Sequence, residues 1–311
     1  MQETLTHVPV LLHESIQGLS IKTSGTYVDC TFGRGGHSQL LLKKLSTQGR
    51  LIVLDQDPSA IAFAKEIFGN DKRVKIIHET FANLHAVAIN AELHENVDGV
   101  FFDLGVSSPQ LDEAQRGFSF NRDGPLDMRM NTDSGDTAAQ WLNSISSNEL
   151  ISVLREFGEE RYAKKIAIKI LEEQQQEAIT TTQRLANIVK ACYPPGYKGV
   201  HPATRTFQAI RIAVNKELDA LQNALAAAFS MLNHGGRLAV ISFHSLEDRM
   251  VKRFIRDSKQ KEQLPIKLPV MPEFNNYLMP VGKLVRPSEQ EINANPRARS
   301  ARLRISEKVL K

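Results

Sequence analysis

Cysteine is scarce in this chain. Only Cys30 and Cys192 carry a thiol among 311 residues, and no C-x-x-C pair exists. A disulfide framework and a cysteine-ligated structural zinc are excluded, and both thiols read as small core residues. Long apolar runs are missing as well: nothing approaches the roughly 18 residues of a membrane span. The opening Met1-Gln2-Glu3-Thr4 holds an acid where a secretory signal holds bases, and no long apolar segment follows. No signal peptide or membrane contact is expected, and the expected location is cytoplasmic. Internal repeats and low-complexity tracts are absent. No loop ends in the Gly-Lys-Ser/Thr of a phosphate-cradling P-loop.

What is present suits a globular chain of one large domain or two ordinary ones, with 41% hydrophobic and 24% charged residues. The formal net charge of +4 permits a polyanionic partner without requiring one. Its distribution says more. Arg297, Arg299, Arg302 and Arg304 crowd together near the C-terminus, and Arg249, Lys252, Arg253 and Arg256 share a helical stretch. Most charge runs are solvated faces, but two basic clusters beside a nucleotide site make nucleic acid a reasonable expectation.

The organising stretch is Tyr27-Val28-Asp29-Cys30-Thr31-Phe32-Gly33-Arg34-Gly35-Gly36-His37. A short apolar strand closes on an acid, opens into a glycine-rich turn and continues as a helical pattern. That is the first unit of a nucleotide-binding α/β sheet. A second strand, Leu51 to Leu54, ends at Asp55, twenty positions past Gly35, where such folds place a ribose-binding acid. Ser38 stands where a dinucleotide fingerprint wants its last glycine. The acid Asp29 before the turn fits S-adenosylmethionine (SAM) enzymes better, but the residues up to here leave the nucleotide open.

Further apolar runs, separated by helical patterns, predict a parallel sheet covered on both faces. Strands are expected at 26–31, 51–55, 74–78 and 97–104, with helices near 37–45, 58–68 and 82–90 and a lead-in helix within 7–18. The next strong strand, 236–243, comes about 130 residues after Asp103, whereas a crossover needs only a dozen or more. An insertion is implied. It opens as a loop from Gln110 to Met130. Four amphipathic helical faces follow, the first opened by the capping box Ser146-x-x-Glu149. The expected domains are 1–111 with 216–311 for the sheet, and 112–215 for an inserted helical, substrate-recognising domain. A helix at 216–232 returns to the sheet. Residues 257–280, with Pro265, Pro269, Pro272 and Pro280, read as a surface loop, and 301–306 as a last antiparallel strand.

In an open parallel sheet the ligand lies at the carboxyl ends of the strands. Asp29, Asp55 and Asp103 all fall there. Asp55 suits ribose hydroxyls, and Phe81 after the third strand could cover an adenine. Each has an ordinary alternative, as a helix cap or a core aromatic. Methyl transfer fits the arrangement, because an in-line displacement needs alignment more than it needs a metal or a covalent intermediate. An exocyclic base amine is a poor nucleophile, since its lone pair is conjugated. A carboxylate accepting its N–H bonds would localise that lone pair, and Asp103 stands in the right place. The common D/N/S-P-P-Y/F motif of amino-methyltransferases is replaced here by Asp103-Leu104-Gly105-Val106. A stacking aromatic must come from elsewhere, with Phe118, Phe120 and Phe243 as candidates.

Several longer segments go further. Thr31 to Ser38, Asp103 to Gln110, Arg116 to Phe120, Gly124 to Met130, His201 to Gln208, Ser242 to Arg249 and Asn295 to Ser300 resemble the bacterial small-subunit rRNA cytosine-N4 methyltransferase family (RsmH, formerly MraW). The resemblance runs nearly end to end. It implies a SAM-dependent methyltransferase (Rossmann-like) α/β fold with a mostly parallel sheet and an inserted helical domain. It implies methyl transfer from SAM to N4 of a cytidine in the decoding region of 16S rRNA; whether that is free rRNA or rRNA within the small ribosomal subunit stays open, and no metal is expected. The cofactor contacts it implies are Gly35, Gly36, His37, Asp55, Phe81, Asp103 and Gln110; the positioning of the target amine by Asp103 is an expectation from the strand-end chemistry above. The competing expectations are a SAM enzyme with another acceptor (other RNA, DNA or a protein amine) and a non-catalytic SAM- or RNA-binding assembly factor.

Overall fold

The computed structural model describes residues 9–259 and 276–310. Among these, seven strands form one sheet: β1 (Thr26–Asp29), β2 (Arg50–Asp55), β3 (Val74–His78), β4 (Val97–Asp103), β5 (Leu232–Ser242), β6 (Tyr277–Pro280) and β7 (Arg302–Val309). Their order is β3-β2-β1-β4-β5-β7-β6. The first five pair in parallel, while β7 runs antiparallel to both β5 and β6. The mostly parallel α/β sheet expected from the sequence is the one the chain forms. Its order reverses between β1 and β4, which places a crevice at the carboxyl ends of those two strands.

The described helices, in chain order, are α1 (Leu12–Gly18), α2 (Gly36–Leu42), α3 (Pro58–Phe68), α4 (Leu84–Asn90), α5 (Ser108–Asp112), α6 (Ala138–Ser144), α7 (Ser147–Glu156), α8 (Ala163–Gln176), α9 (Thr182–Ala191), α10 (Ala203–Val214), α11 (Glu217–Met231), α12 (Ser245–Asp257) and α13 (Glu289–Ala294). No described helix is long and apolar enough to cross a membrane.

Alternate strand residues point to opposite faces, and both faces are apolar. Tyr27, Leu51, Val53, Phe101, Ala239 and Ile241 pack with residues of α1, α2 and α3. Val28, Ile52, Leu54, Val100, Phe102 and Val240 pack with residues of α4, α11 and α12. Burial on both sides fixes the register, since a slip of one residue would exchange the two cores. α3 starts cleanly because Asp57 Oδ1 accepts the Ser59 N–H at 2.9 Å and Pro58 fills the first turn.

The chain divides into two compact units, Met1–Gly105 with Asp219–Lys311, and Val106–Leu218. The second unit is helical, with its own core of Leu150, Leu154, Ile166, Ile170, Leu185, Val189, Phe207 and Ile210. The expected capping box forms: Glu149 N donates to Ser146 Oγ at 3.3 Å, and Ser146 N donates to Glu149 Oε2 at 3.1 Å. The stretch read as a loop, Gln110 to Met130, differs at its start, where α5 runs to Asp112; from Gly117 to Met130 it is a loop, and a tightly held one. Leu126, Met128 and Met130 are buried in the core. Met128 takes a left-handed φ of 59°. Asn215 holds it there, accepting from Met130 N and donating to Met128 O, both at 2.8 Å. Arg116 donates to the Arg129 and Met130 carbonyls, and Arg129 forks onto Asp127 at 2.8 Å.

Some boundaries differ. β1 ends at Asp29 and α2 at Leu42, each earlier than expected. Leu232 belongs to β5, which is longer than its apolar run. Residues 277–280 form an edge strand rather than loop; a four-residue strand ending in Pro280 carries almost no period-two signal. Short α6 and α13 escaped notice because seven and six residues show little periodicity. The start of the lead-in segment, residues 7 and 8, and the proline-rich stretch 260–275 lie outside the described residues.

Candidate active site

The glycine turn is built by its own acid. Asp29 is 1% exposed. It accepts Ser38 Oγ–H at 2.6 Å through Oδ2 and Thr31 N–H at 3.0 Å through Oδ1. Of the three strand-end acids, Asp29 is therefore occupied in holding the loop to the first turn of α2. Gly33 takes φ 55°, and a side chain there would meet nothing within 4 Å. The backbone of this turn is thus open to a closely approaching ligand. Gly35 is different. It takes φ 69°, and a Cβ there would lie 2.6 Å from the Phe32 ring. A Cβ on Gly36 would strike Pro9. Gly35→Ala should therefore destabilise the fold by about 1–3 kcal/mol through left-handed strain and overpacking. Urea unfolding measures it, and a loss below about 0.5 kcal/mol would show that Phe32 gives way freely.

Asp55 ends β2 beside this turn. Its Oδ2 accepts Gly33 N–H at 2.7 Å and its Oδ1 accepts Asp57 N–H at 2.9 Å. Each oxygen keeps a further lone pair, so ribose hydroxyls can still be accepted. Phe81 opens a single 3₁₀ turn after β3, half-buried, with its ring edge-on to Phe102 at 5.8 Å. Phe81 thus packs on the face of the sheet that α4, α11 and α12 cover.

Asp103 ends β4. Its backbone N–H donates to Thr31 Oγ1 at 2.6 Å, which ties β4 to the glycine turn. Its Oδ2 lies 3.7 Å from Nδ1 of His37. Its Oδ1 is buried and has no hydrogen-bond partner among the described residues. His37 itself is buried on α2, tilted over Phe101, with Nε2 3.1 Å from the Val10 carbonyl. A carbonyl only accepts, so Nε2 carries the proton and Nδ1 offers a lone pair toward Asp103.

The fourth wall was missed by residue-level reasoning. Glu247, 2% exposed on α12, accepts Phe243 N–H at 2.8 Å through Oε2. Its Oε1 sits 3.1 Å from His244 Nε2. The spacing His244-x-x-Glu247 after a strand is a helix-opening signal that could have located it. Thr31 gave no comparable signal.

These groups make the crevice electrically unusual. Burial, then Asp29 and Glu247, push the Asp103 carboxyl up to about 8. Burial pushes Asp29 and Asp55 up to about 6, against the hydrogen bonds that each accepts. Burial lowers His37 to about 4, so it is neutral near pH 7. Clustered acids with an unpaired carboxylate oxygen suit a cationic ligand.

The family model described as the MraW methylase family matches residues 4–309. The chain belongs to the MraW methylase family. Proteins called "Ribosomal RNA small subunit methyltransferase H" are similar throughout. That of Idiomarina loihiensis is 53% identical over 306 residues, covering 97% of each chain. That of Pseudoalteromonas atlantica is 52% identical over 307 residues, covering 98% of each. That of Coxiella burnetii is 50% identical over 304 residues, covering 97% of this chain and 99% of the relative.

In this MraW-family chain the first unit brings Gly35, Gly36, His37, Asp55, Phe81 and Asp103 to one end of the sheet. Gln110 lies on α5 of the second unit, where its Oε1 accepts Ser107 N–H at 2.9 Å and caps the helix. The stacking candidates fare unequally. Phe118 is buried in the second unit's core. Phe120 already stacks on His201 at 4.4 Å. Phe243 is half-buried beside Gly105. The arginine cluster is partly structural: Arg302 and Arg304 both pair with Asp248.

Proposed function

We propose that this chain transfers a methyl group from SAM to N4 of a cytidine in 16S rRNA, acting on the small subunit in the cytoplasm. The observation that carries the reading is identity of 50–53% along the whole chain to proteins named as small-subunit rRNA methyltransferases. The crevice fits the donor. A backbone turn open at Gly33 leaves room, Asp55 has lone pairs for ribose hydroxyls, and the acids Asp29, Asp55 and Asp103 at the strand ends suit a donor of net positive charge. SAM supplies an electrophilic methyl on a sulfonium.

The chain's own residues supply the rest. Gly35, Gly36 and His37 shape the turn that holds the donor, Asp55 fixes its ribose, and Phe81 covers its adenine. Asp103 accepts an N–H of the target amine, which localises the nitrogen lone pair as attack begins. Alignment of nitrogen, methyl and sulfur supplies much of the acceleration. The acceptor base must leave its stack for N4 to reach the crevice. The helical unit is the proposed RNA-binding part.

Incubation with labelled SAM and unmodified small subunits, naked rRNA, DNA or bulk protein tests this directly. Label in N4-methylcytidine of 16S rRNA is the expected result. Label on another base, on DNA or on protein would replace the acceptor, and no label anywhere would make the chain a binding factor.

A further inference from the structure

Asp103 is an acid among acids. The groups that face it are Asp29 from β1, Glu247 from α12 and the neutral His37 from α2. Both charges that act most strongly on it are negative. The nearest ring is locked as a neutral donor to Val10, so His37 does not serve as a compensating cation. Oδ1 is buried without a partner among the described residues, although the side chain as a whole keeps 26% of its surface accessible. The carboxyl is thus reachable from the crevice, and its neighbours oppose its ionisation.

We propose that Asp103 is a charge-switched proton acceptor, held as a carboxylate by the positive charge of the methyl donor and converted to an acid when methyl transfer removes that charge. The inference rests on the reading of the donor and acceptor given above.

The amine nitrogen's lone pair forms the new N–C bond. The C–S bond breaks and its electron pair stays on sulfur, so the sulfonium charge disappears. The nitrogen now carries one proton too many, and that proton passes to Asp103. The sum is sulfonium plus amine giving thioether, methylamine and a proton, which Asp103 later releases to solvent. A neighbouring unit charge changes a carboxyl's proton affinity by about 10- to 1000-fold. Before transfer the cation suppresses protonation of Asp103, so its oxygens accept the amine's N–H bonds. After transfer burial, Asp29 and Glu247 act on it, and all three favour protonation. Asp103 therefore becomes a better base at the step that yields a proton. The lone pair of His37 Nδ1, 3.7 Å from Oδ2, faces the protonated carboxyl as an acceptor.

Calorimetry of the full chain at pH 7, in buffers of different ionisation enthalpy, reads this without RNA. SAM and S-adenosylhomocysteine share every titrating group and differ in the sulfonium charge. SAM binding should release most of one proton from the protein, and S-adenosylhomocysteine close to none. Asp103→Asn should still bind SAM, but without the proton release. Equal proton counts for the two ligands would overturn the proposal, as would full release from the Asn variant. The wild-type pair of titrations decides the matter even if that variant does not fold. No binding of either ligand would instead refute the donor assignment, and the proposal with it. Proton release without any cytidine methylation would leave the switch standing and refute only the acceptor.

Discussion

Asp103→Asn is expected to lower methyl transfer by about 10²- to 10⁴-fold while leaving the protein folded. The amide keeps the size of the carboxyl and can still accept an N–H through its oxygen. It neither carries the charge that localises the amine lone pair nor takes up the product proton. Single-turnover rates with saturating SAM and substrate isolate this step. Activity within a few-fold of wild type would remove Asp103 from the chemistry. The same variant should be more stable than wild type at pH 8. A carboxyl raised from its ordinary range to about 8 favours the folded state fully only below its unfolded pKa of about 4. That contribution is lost as pH climbs through the folded value. Asp29 and Asp55 have the same sign over a narrower window, since both are raised to about 6. His37, lowered to about 4, acts oppositely: its contribution is complete above about 6.5 and is lost on acidification through the folded value. Above pH 6.5 the Asp103 contribution should therefore dominate among these four. The wild-type melting temperature should fall between pH 6.5 and 8, and the Asn variant's should fall less.

Asp248→Ala should destabilise the sheet unit by about 2–4 kcal/mol, the second large effect expected. Asp248 is 7% exposed. It accepts from Arg304 Nε at 2.7 Å, from Arg304 Nη2 at 3.2 Å and from Arg302 Nη1 at 3.0 Å. Burial alone would raise this carboxyl, but Arg304 and Arg302 outweigh it and hold it below the ordinary range. Its contribution is present above the unfolded value of about 4 and is lost as pH falls below it. Truncation leaves two arginines of β7 without their counterion. The estimate lies toward the low end for a buried network because the Arg302 side chain is 36% exposed. Urea unfolding at pH 7 gives the loss, and a value under about 0.5 kcal/mol would show the pairs to be solvated.

The two predictions concern residues of very different legibility. Asp103 was readable as a candidate site residue because an acid after the apolar Val100-Phe101-Phe102 marks the ligand end of a parallel strand. Asp55 was readable for the same reason, with its spacing from Gly35 as support. The arginines at 302 and 304 looked like half of a basic patch. Sequence shows a cluster of like charge, but not that an acid more than fifty positions away sits against two of its members. The segment Gly124 to Met130 was legible as a loop, but not as an ordered one. Its order comes from Asn215 and Arg116, which reach its backbone from outside it.

By itself, the sequence determined the parallel α/β sheet, the glycine turn, the insertion after β4 and the acids at the strand ends. These follow from periodicity and from local backbone requirements, which act over a few residues and leave their mark on composition. Only the tertiary structure decided which acid does what. Asp29 is consumed by Ser38 and Thr31, Asp55 is half-occupied by Gly33 and Asp57, and Asp248 is neutralised by two arginines. Asp103 alone among these four is left with a buried oxygen lacking a partner among the described residues. A carboxylate's charge state is set by burial and by groups within a few ångströms, whatever their distance along the chain.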